Sequence, residues 1–319
     1  MNSGFANLRR SLLGLSPEAV KFDRRGFRGA TGEMRERIES IGRAFLGGYH
    51  CALGSATCDE LEAQLPGVEL ELRGFAFEGA AMSLALLDFL TPWHRDRVAK
   101  FLNGAGHSHA YMVHVGIGWV WARMPFGFRR WQRQLDPLLG WLAFDGWGFH
   151  EGFFNFRKYA AGQRPKKLRG YELRAFDQGF GRSLWFINGG NVGLISKTIS
   201  SLSPTRQADL WSGIGLAATC AGRVNETELR QLREAAGEFS PQLAQGSAFA
   251  AKARQRAGNL TDYTGRATKM LCGVSADEAA RVTDDALEHL PAEAEQPAYE
   301  LWRQRIQNHF ARILEPQEI

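Results

Sequence analysis

Apolar residues recur along this chain at helical spacing. Phe75, Glu78, Met82 and Leu86 fall at i, i+3, i+7 and i+11, so all four share one helix face. That run ends at Thr91-Pro92, because proline cannot continue a helix. Ala279, Val282, Ala286 and Leu290 repeat the pattern until Pro291 stops it. Ser275, with Glu278 three residues on, reads as a capping box that opens this helix. Ser203-Pro204 marks another start, with proline in the first turn. Strand-like alternation is scarce. Its best instance, Val68 to Leu72, reads as a short extended link.

Period and punctuation together predict helices over 36–53, 75–90, 93–103, 108–124, 138–159, 175–188, 191–202 and 204–221. Five more are predicted over 226–237, 240–257, 260–272, 275–289 and 296–314. Self-similarity groups them. Gly48-Tyr49-His50 returns as Gly148-Phe149-His150, Gly74-Phe75 as Gly179-Phe180, and Gly116-Ile117-Gly118 as Gly213-Ile214-Gly215, each roughly 100 residues later. The predicted fold is all-α, with two or three repeated units of helical hairpins packed as a curved array or bundle. The predicted divisions are an N-terminal arm (1–35), a first unit (36–130), a second unit (131–224) and a C-terminal helical unit (225–319). Composition changes at the last boundary, from Gly-rich helices to an Ala/Glu/Arg-rich tail.

At 44% hydrophobic residues, 319 residues can bury a large core. The net charge of +5 is spread out. The densest spots, Arg129-Arg130 with Arg133 and Lys166-Lys167-Leu168-Arg169, read as solvated faces, and nothing indicates nucleic-acid binding. The longest apolar stretch, Tyr111 to Trp121, is about half of a membrane span and contains His114. Arg9 and Arg10 interrupt the leucines near the start, and no small-residue cleavage site follows, so a cytoplasmic location is expected. Cys51, Cys58, Cys220 and Cys272 form no CxxC pair and read as reduced and mostly buried.

Three groups of residues can carry chemistry. His107, His109 and His114 cluster in sequence, and His50 and His150 hold matching places in the repeat, with Glu151 beside His150. Imidazoles with a carboxylate suit a metal, but the spacing fits no metal motif, so no metal ligand is assigned and the cofactor is left open. The plainer reading is hydrogen-bonded core histidines, with Ser108 capping a helix. Glu78, Asp88, Asp145 and Glu151 sit inside apolar sequence, where a carboxylate must be neutral, paired or facing a polar cavity. Glu78 or Glu151 can serve as a general acid or base with His114 or His150. The alternative is an ion pair with Arg123, Arg182 or Arg206. Third, glycines and aromatics interleave around Trp119, Trp147, Phe149, Trp185 and Trp211. Either close helix packing or an aromatic-walled pocket explains them. Gly213-Ile214-Gly215-Leu216-Ala217-Ala218 fits a dinucleotide fingerprint only superficially, because no strand precedes it.

Longer strings carry a resemblance. GFAFEGAAM at 74–82, YMVHVGIGW at 111–119, DGWGFHEGFF at 145–154, GFGRSLWF at 179–186 and DLWSGIGLAATCAG at 209–222 look like the unknown-function accessory proteins of enediyne polyketide cassettes. LRRSLLG and DRRGF near the start fit as well. The resemblance implies a part in enediyne biosynthesis, acting with companion cassette proteins on a linear polyene from the iterative polyketide synthase. It carries over no catalytic residues. The residues themselves nominate Glu78, His114, Asp145, His150, Glu151 and Arg182 for chemistry, and Trp119, Trp147, Phe149, Trp185 and Trp211 for holding the polyene. Asp209 falls in the same strings. The rival expectation is a non-catalytic protein that holds a hydrophobic polyene or docks a membrane-bound partner.

Overall fold

The computed structural model describes residues 3–30, 32–55, 57–91, 93–291 and 294–314. Among them the chain is all-α, with no strand. The helices are α1 Ser3–Leu13, α2 Phe22–Arg25, α3 Gly32–Gly54, α4 Cys58–Gln64, α5 Arg73–Leu90, α6 Arg97–Asn103, α7 Ala110–Arg123, α8 Phe128–Gln132 and α9 Leu142–Ala160. There follow α10 Tyr171–Ile187, α11 Val192–Ser200, α12 Pro204–Ala221, α13 Glu226–Ala236, α14 Ser240–Arg256, α15 Asp262–Cys272, α16 Ala276–Asp285 and α17 Ala298–Leu314. The Ser275–Glu278 capping box is present, and Asn225 with Glu228 forms a second. Residues 68–72 form bends and turns rather than an extended link. Pro92, the expected stop of α5, lies outside the described residues. His109, not Ser108, stands at the N-cap of α7, and its side chain caps nothing.

Seven long helices form a row in which each touches the next: α3, α5, α7, α9, α10, α12 and α14. Glycine makes the contacts possible. A Cβ on Gly118 of α7 would lie 1.9 Å from the Ala143 carbonyl oxygen of α9, and one on Gly146 of α9 would lie 2.0 Å from that of Val115 on α7. The same reciprocity joins α9 to α10 through Gly148 and Gly179, α10 to α12 through Gly181 and Gly213, and α12 to α14 through Gly215 and Gly246. Within each pair, residue numbers rise on one helix as they fall on the other, so neighbours run antiparallel. Residues i and i+2 point about 200° apart on a helix. A Gly-x-Gly therefore presents one bare backbone patch to the preceding helix and another to the following one. The element that visibly recurs is a single helix carrying this pair.

The row curls. Arg37 of α3 donates to the Ala221 carbonyl at the end of α12 (2.6 Å), and Arg254 of α14 reaches the Glu71 carbonyl just before α5 (3.3 Å). α17 fills one half of the hollow. Trp302 packs 4.5 Å from Phe249 of α14 and 6.4 Å from Tyr111 of α7, measured between ring centroids. Gln178 of α10 donates to the Tyr299 hydroxyl (3.2 Å), and Arg303 pairs with Asp209 of α12 (2.8 Å). No helix among the described residues is long and apolar enough to cross a membrane. Cys272 is buried and Cys51 and Cys220 are half-buried, all three as free thiols, while the side chain of Cys58 lies outside the described residues.

Candidate functional site

The other half of the hollow holds an aromatic chamber. Five consecutive helices of the row line it. α3 gives Phe45, α5 gives Phe75 and Glu78, α7 gives Trp119 and Arg123, α9 gives Phe149 and Phe153, and α10 gives Arg182 and Phe186. The spacing explains the convergence. Trp119 and Arg123, Phe149 and Phe153, and Arg182 and Phe186 are i, i+4 pairs, each on one helix face. The rings touch at 4.5 Å (Phe45 to Trp119), 5.5 Å (Trp119 to Phe149) and 5.2 Å (Phe149 to Phe186).

Glu78 is the carboxylate of the chamber. It is 2% exposed and accepts a hydrogen bond from Trp119 Nε1 at 2.9 Å. Burial pushes its pKa from 4.5 up to about 7, against the pull of Arg182 and the Trp119 bond, with Asp145 pushing the same way as burial. Arg182 lies between the chamber and the packed half. Its guanidinium bonds to Asp145, which also accepts from Gln178 at 2.8 Å, and it stands 4.9 Å over the Phe149 ring. Both partners of this ion pair are buried.

The raised pKa of Glu78 has a thermodynamic sign. The unfolded chain loses this proton near 4.5, while the folded chain keeps it to about 7. Nothing is lost below 4.5; stability falls as pH rises through that window and is fully reduced above 7. The loss is about 3 kcal/mol. Replacing Glu78 with Gln is expected to remove this dependence. Chemical unfolding of the two proteins at pH 4.5 and pH 8 should show the variant gaining about 3 kcal/mol on the parent across that interval. Parallel pH profiles would mean that Glu78 ionises normally.

His150 and Glu151 stand behind the chamber wall. Arg123 Nε donates to His150 Nε2 at 3.2 Å, which leaves the proton of the neutral ring on Nδ1. Nδ1 lies 3.8 Å from Glu151 Oε1, too long for a direct hydrogen bond. Burial holds His150 below its usual pKa despite Glu151. Glu151 accepts from Asn155 at 2.8 Å, where α9 breaks from helical geometry. Burial raises Glu151, but His150, Asn155 and Tyr159 together bring it below the usual carboxylate value.

The remaining expected residues lie elsewhere. His114 shares α7 with Trp119 but lines a different cavity, so it is no partner for Glu78. Trp147 packs against Phe128 at 5.2 Å, Trp185 lies against Gly190, and Trp211 is buried in α12, all outside the chamber lining. Of the five aromatics nominated for binding, Trp119 and Phe149 line the chamber. Asp209 pairs with Arg174 and Arg303 beneath α17. Arg206 pairs with Asp177, not with Glu78 or Glu151. Among the described residues, no three His, Cys, Asp or Glu side chains converge as metal ligands do.

The segment after α1 roofs the chamber with Leu15, Ala19 and Val20. It is tied down along its length. Tyr49 donates to the Leu13 carbonyl (2.8 Å), the Leu15 amide donates to His50 Nε2 (3.0 Å), and the Arg28 amide donates to the Ile187 carbonyl (2.9 Å). Val20 sits on Gly42, where any Cβ would lie 2.5 Å away. With this roof in place the chamber holds about 50 Å3.

The residues therefore define a curled helical array around an aromatic chamber with one buried carboxyl in its lining. The chain belongs to the family described as protein of unknown function (DUF1702), whose sequence model matches residues 4–310. No curated protein and no solved structure matches it.

Proposed function

We propose that this chain works in enediyne biosynthesis, where it receives a linear conjugated polyene in the aromatic chamber and moves a proton on it through Glu78. The observation that carries the reading is a carboxyl with a pKa of about 7 in the lining of a chamber walled by aromatic rings. Flat rings match the faces of a conjugated chain, and burial excludes water from the reacting carbons. An acid poised near neutral pH gives and takes a proton with similar ease. Protonated Glu78 gives its proton to one carbon, and the resulting carboxylate removes a proton from another. A double bond moves, and no electrons are gained or lost. Arg182 steadies the carboxylate between the two transfers. Oxidation to triple bonds falls to companion proteins of the cassette. The resemblance of the long glycine-aromatic strings supports this setting, in the cytoplasm beside the polyketide synthase. A guest of that length enters only when the roof at Leu15 to Val20 moves aside.

The test is product analysis by mass spectrometry. The synthase, its thioesterase and the companions are expressed with no copy of this chain, with the parent, and with Glu78→Gln or Trp119→Ala. The polyene should be consumed only with the parent, and Glu78→Gln should lower product at least 100-fold, as expected for loss of general acid–base catalysis. Full product from Glu78→Gln but not from Trp119→Ala would replace catalysis with simple holding of the polyene. Identical profiles with and without this chain would end the proposal.

A further inference from the structure

A second cavity flanks α7 and is independent of the chamber. It measures about 470 Å3, within the range of small-molecule sites. Its floor is apolar, formed by Ala85, Ala110, Ile117 and Leu139, with His114 set among them. His114 is 2% exposed. Its Nδ1 lies 2.7 Å from the Ala110 carbonyl oxygen, which can only accept, so Nδ1 carries the proton and Nε2 presents a lone pair. That Nε2 is buried and has no hydrogen-bond partner among the described residues. An unmet buried acceptor is costly, and a donor brought to it is favoured. Burial holds the ring below its usual pKa, so it stays neutral. Asp88, the other polar group on the floor, is fully used by the Arg97 side chain and by the Arg97 and Val98 amides.

The mouth differs in character. Arg95 and Arg256 stand there, both exposed. Among the described residues, Arg256 bonds to His107, at its carbonyl oxygen (3.1 Å) and ring Nε2 (3.2 Å). Asp136, the acid at the rim, accepts from the Leu138 and Leu139 amides of its own turn. Two guanidinium groups therefore lie at the mouth, an unmet acceptor lies at the floor, and apolar surface joins them.

We infer that this cavity binds a chain-like organic anion. Its carboxylate or phosphate head meets Arg95 and Arg256, its apolar body lies along the floor, and a hydroxyl or amide N–H at its far end donates to His114 Nε2. The probes are decanoate, 10-hydroxydecanoate and 10-hydroxydecyl phosphate, titrated calorimetrically into the full chain. The hydroxylated carboxylate should bind about tenfold tighter than decanoate. His114→Leu should erase that preference, and Arg95→Gln with Arg256→Gln should weaken every probe about tenfold. The tighter of the two hydroxylated probes identifies the head. Trp119→Leu should leave the titration unchanged, which separates this cavity from the chamber. Should His114→Leu fail to fold, the imidazole nitrogen resonance of His114 in the parent reports instead; it should move with 10-hydroxydecanoate and stay still with decanoate. Equal binding of those two, no binding, a preference that survives in His114→Leu, or a titration abolished by Trp119→Leu would each overturn the assignment.

Discussion

Gly47→Ala and Gly48→Ala are expected to shift stability in opposite directions, although the two positions are adjacent. A Cβ at Gly47 meets nothing within 4 Å, so alanine there gains helix propensity, about 1 kcal/mol. A Cβ at Gly48 would lie 1.9 Å from the Ala76 carbonyl oxygen and 2.8 Å from its Cα, both atoms of the neighbouring backbone. Backbone cannot rotate aside as a side chain can, so α3 and α5 must part. The cost is about 3 kcal/mol, at the upper end of ordinary overpacking. Urea unfolding of both variants checks this. A neutral Gly48→Ala would mean that the first two helices of the row are not in backbone contact.

The second large effect concerns the ion pair between the two halves of the hollow. Asp145→Ala leaves Arg182 buried without its closest counter-charge and should cost about 4 kcal/mol. A double variant, Asp145→Leu with Arg182→Met, should lose less than Asp145→Ala alone, because it removes both charges and keeps much of the volume. Burial is the main cause of the raised Glu78 pKa, and the same pair adjusts it. Asp145 raises the Glu78 pKa and Arg182 lowers it. Asp145→Asn should therefore bring Glu78 below its value of about 7, and Arg182→Met should take it higher. Carboxyl carbon titration by NMR reads both. An unmoved Glu78 in both variants would detach it from this pair.

Much of the helical order was legible because long helices announce themselves by period and punctuation. Ser203-Pro204 does open α12, and Ser275 with Glu278 does open α16. The short α4 and the N-terminal α1 escaped, since α4 has few residues to show a period and arginines break up the leucines of α1. The glycine-aromatic strings left close helix packing and an aromatic-walled pocket as alternatives; the glycines meet the neighbouring backbone, while aromatics elsewhere on the same helices line the chamber. Of the residues nominated for chemistry or binding, Glu78, Trp119, Phe149 and Arg182 fall in the chamber lining. His114 was misplaced for a geometric reason. It precedes Trp119 by five residues, which turns it about 140° away on the helix and onto a different cavity. Phe45 and the roof at Leu15 to Val20 were missed, because only the curl of the row brings them to the same place.

The roof also bears on how fast the chamber can fill. On the proposed function, with Tyr49, His50 and Gly42 holding the roof, the space beneath is too small for a polyene, so capture has to wait for the segment to detach. Uptake then becomes a first-order opening followed by rapid loading. Its observed rate should level off as guest concentration rises, and weakening the His50 latch should lift that plateau.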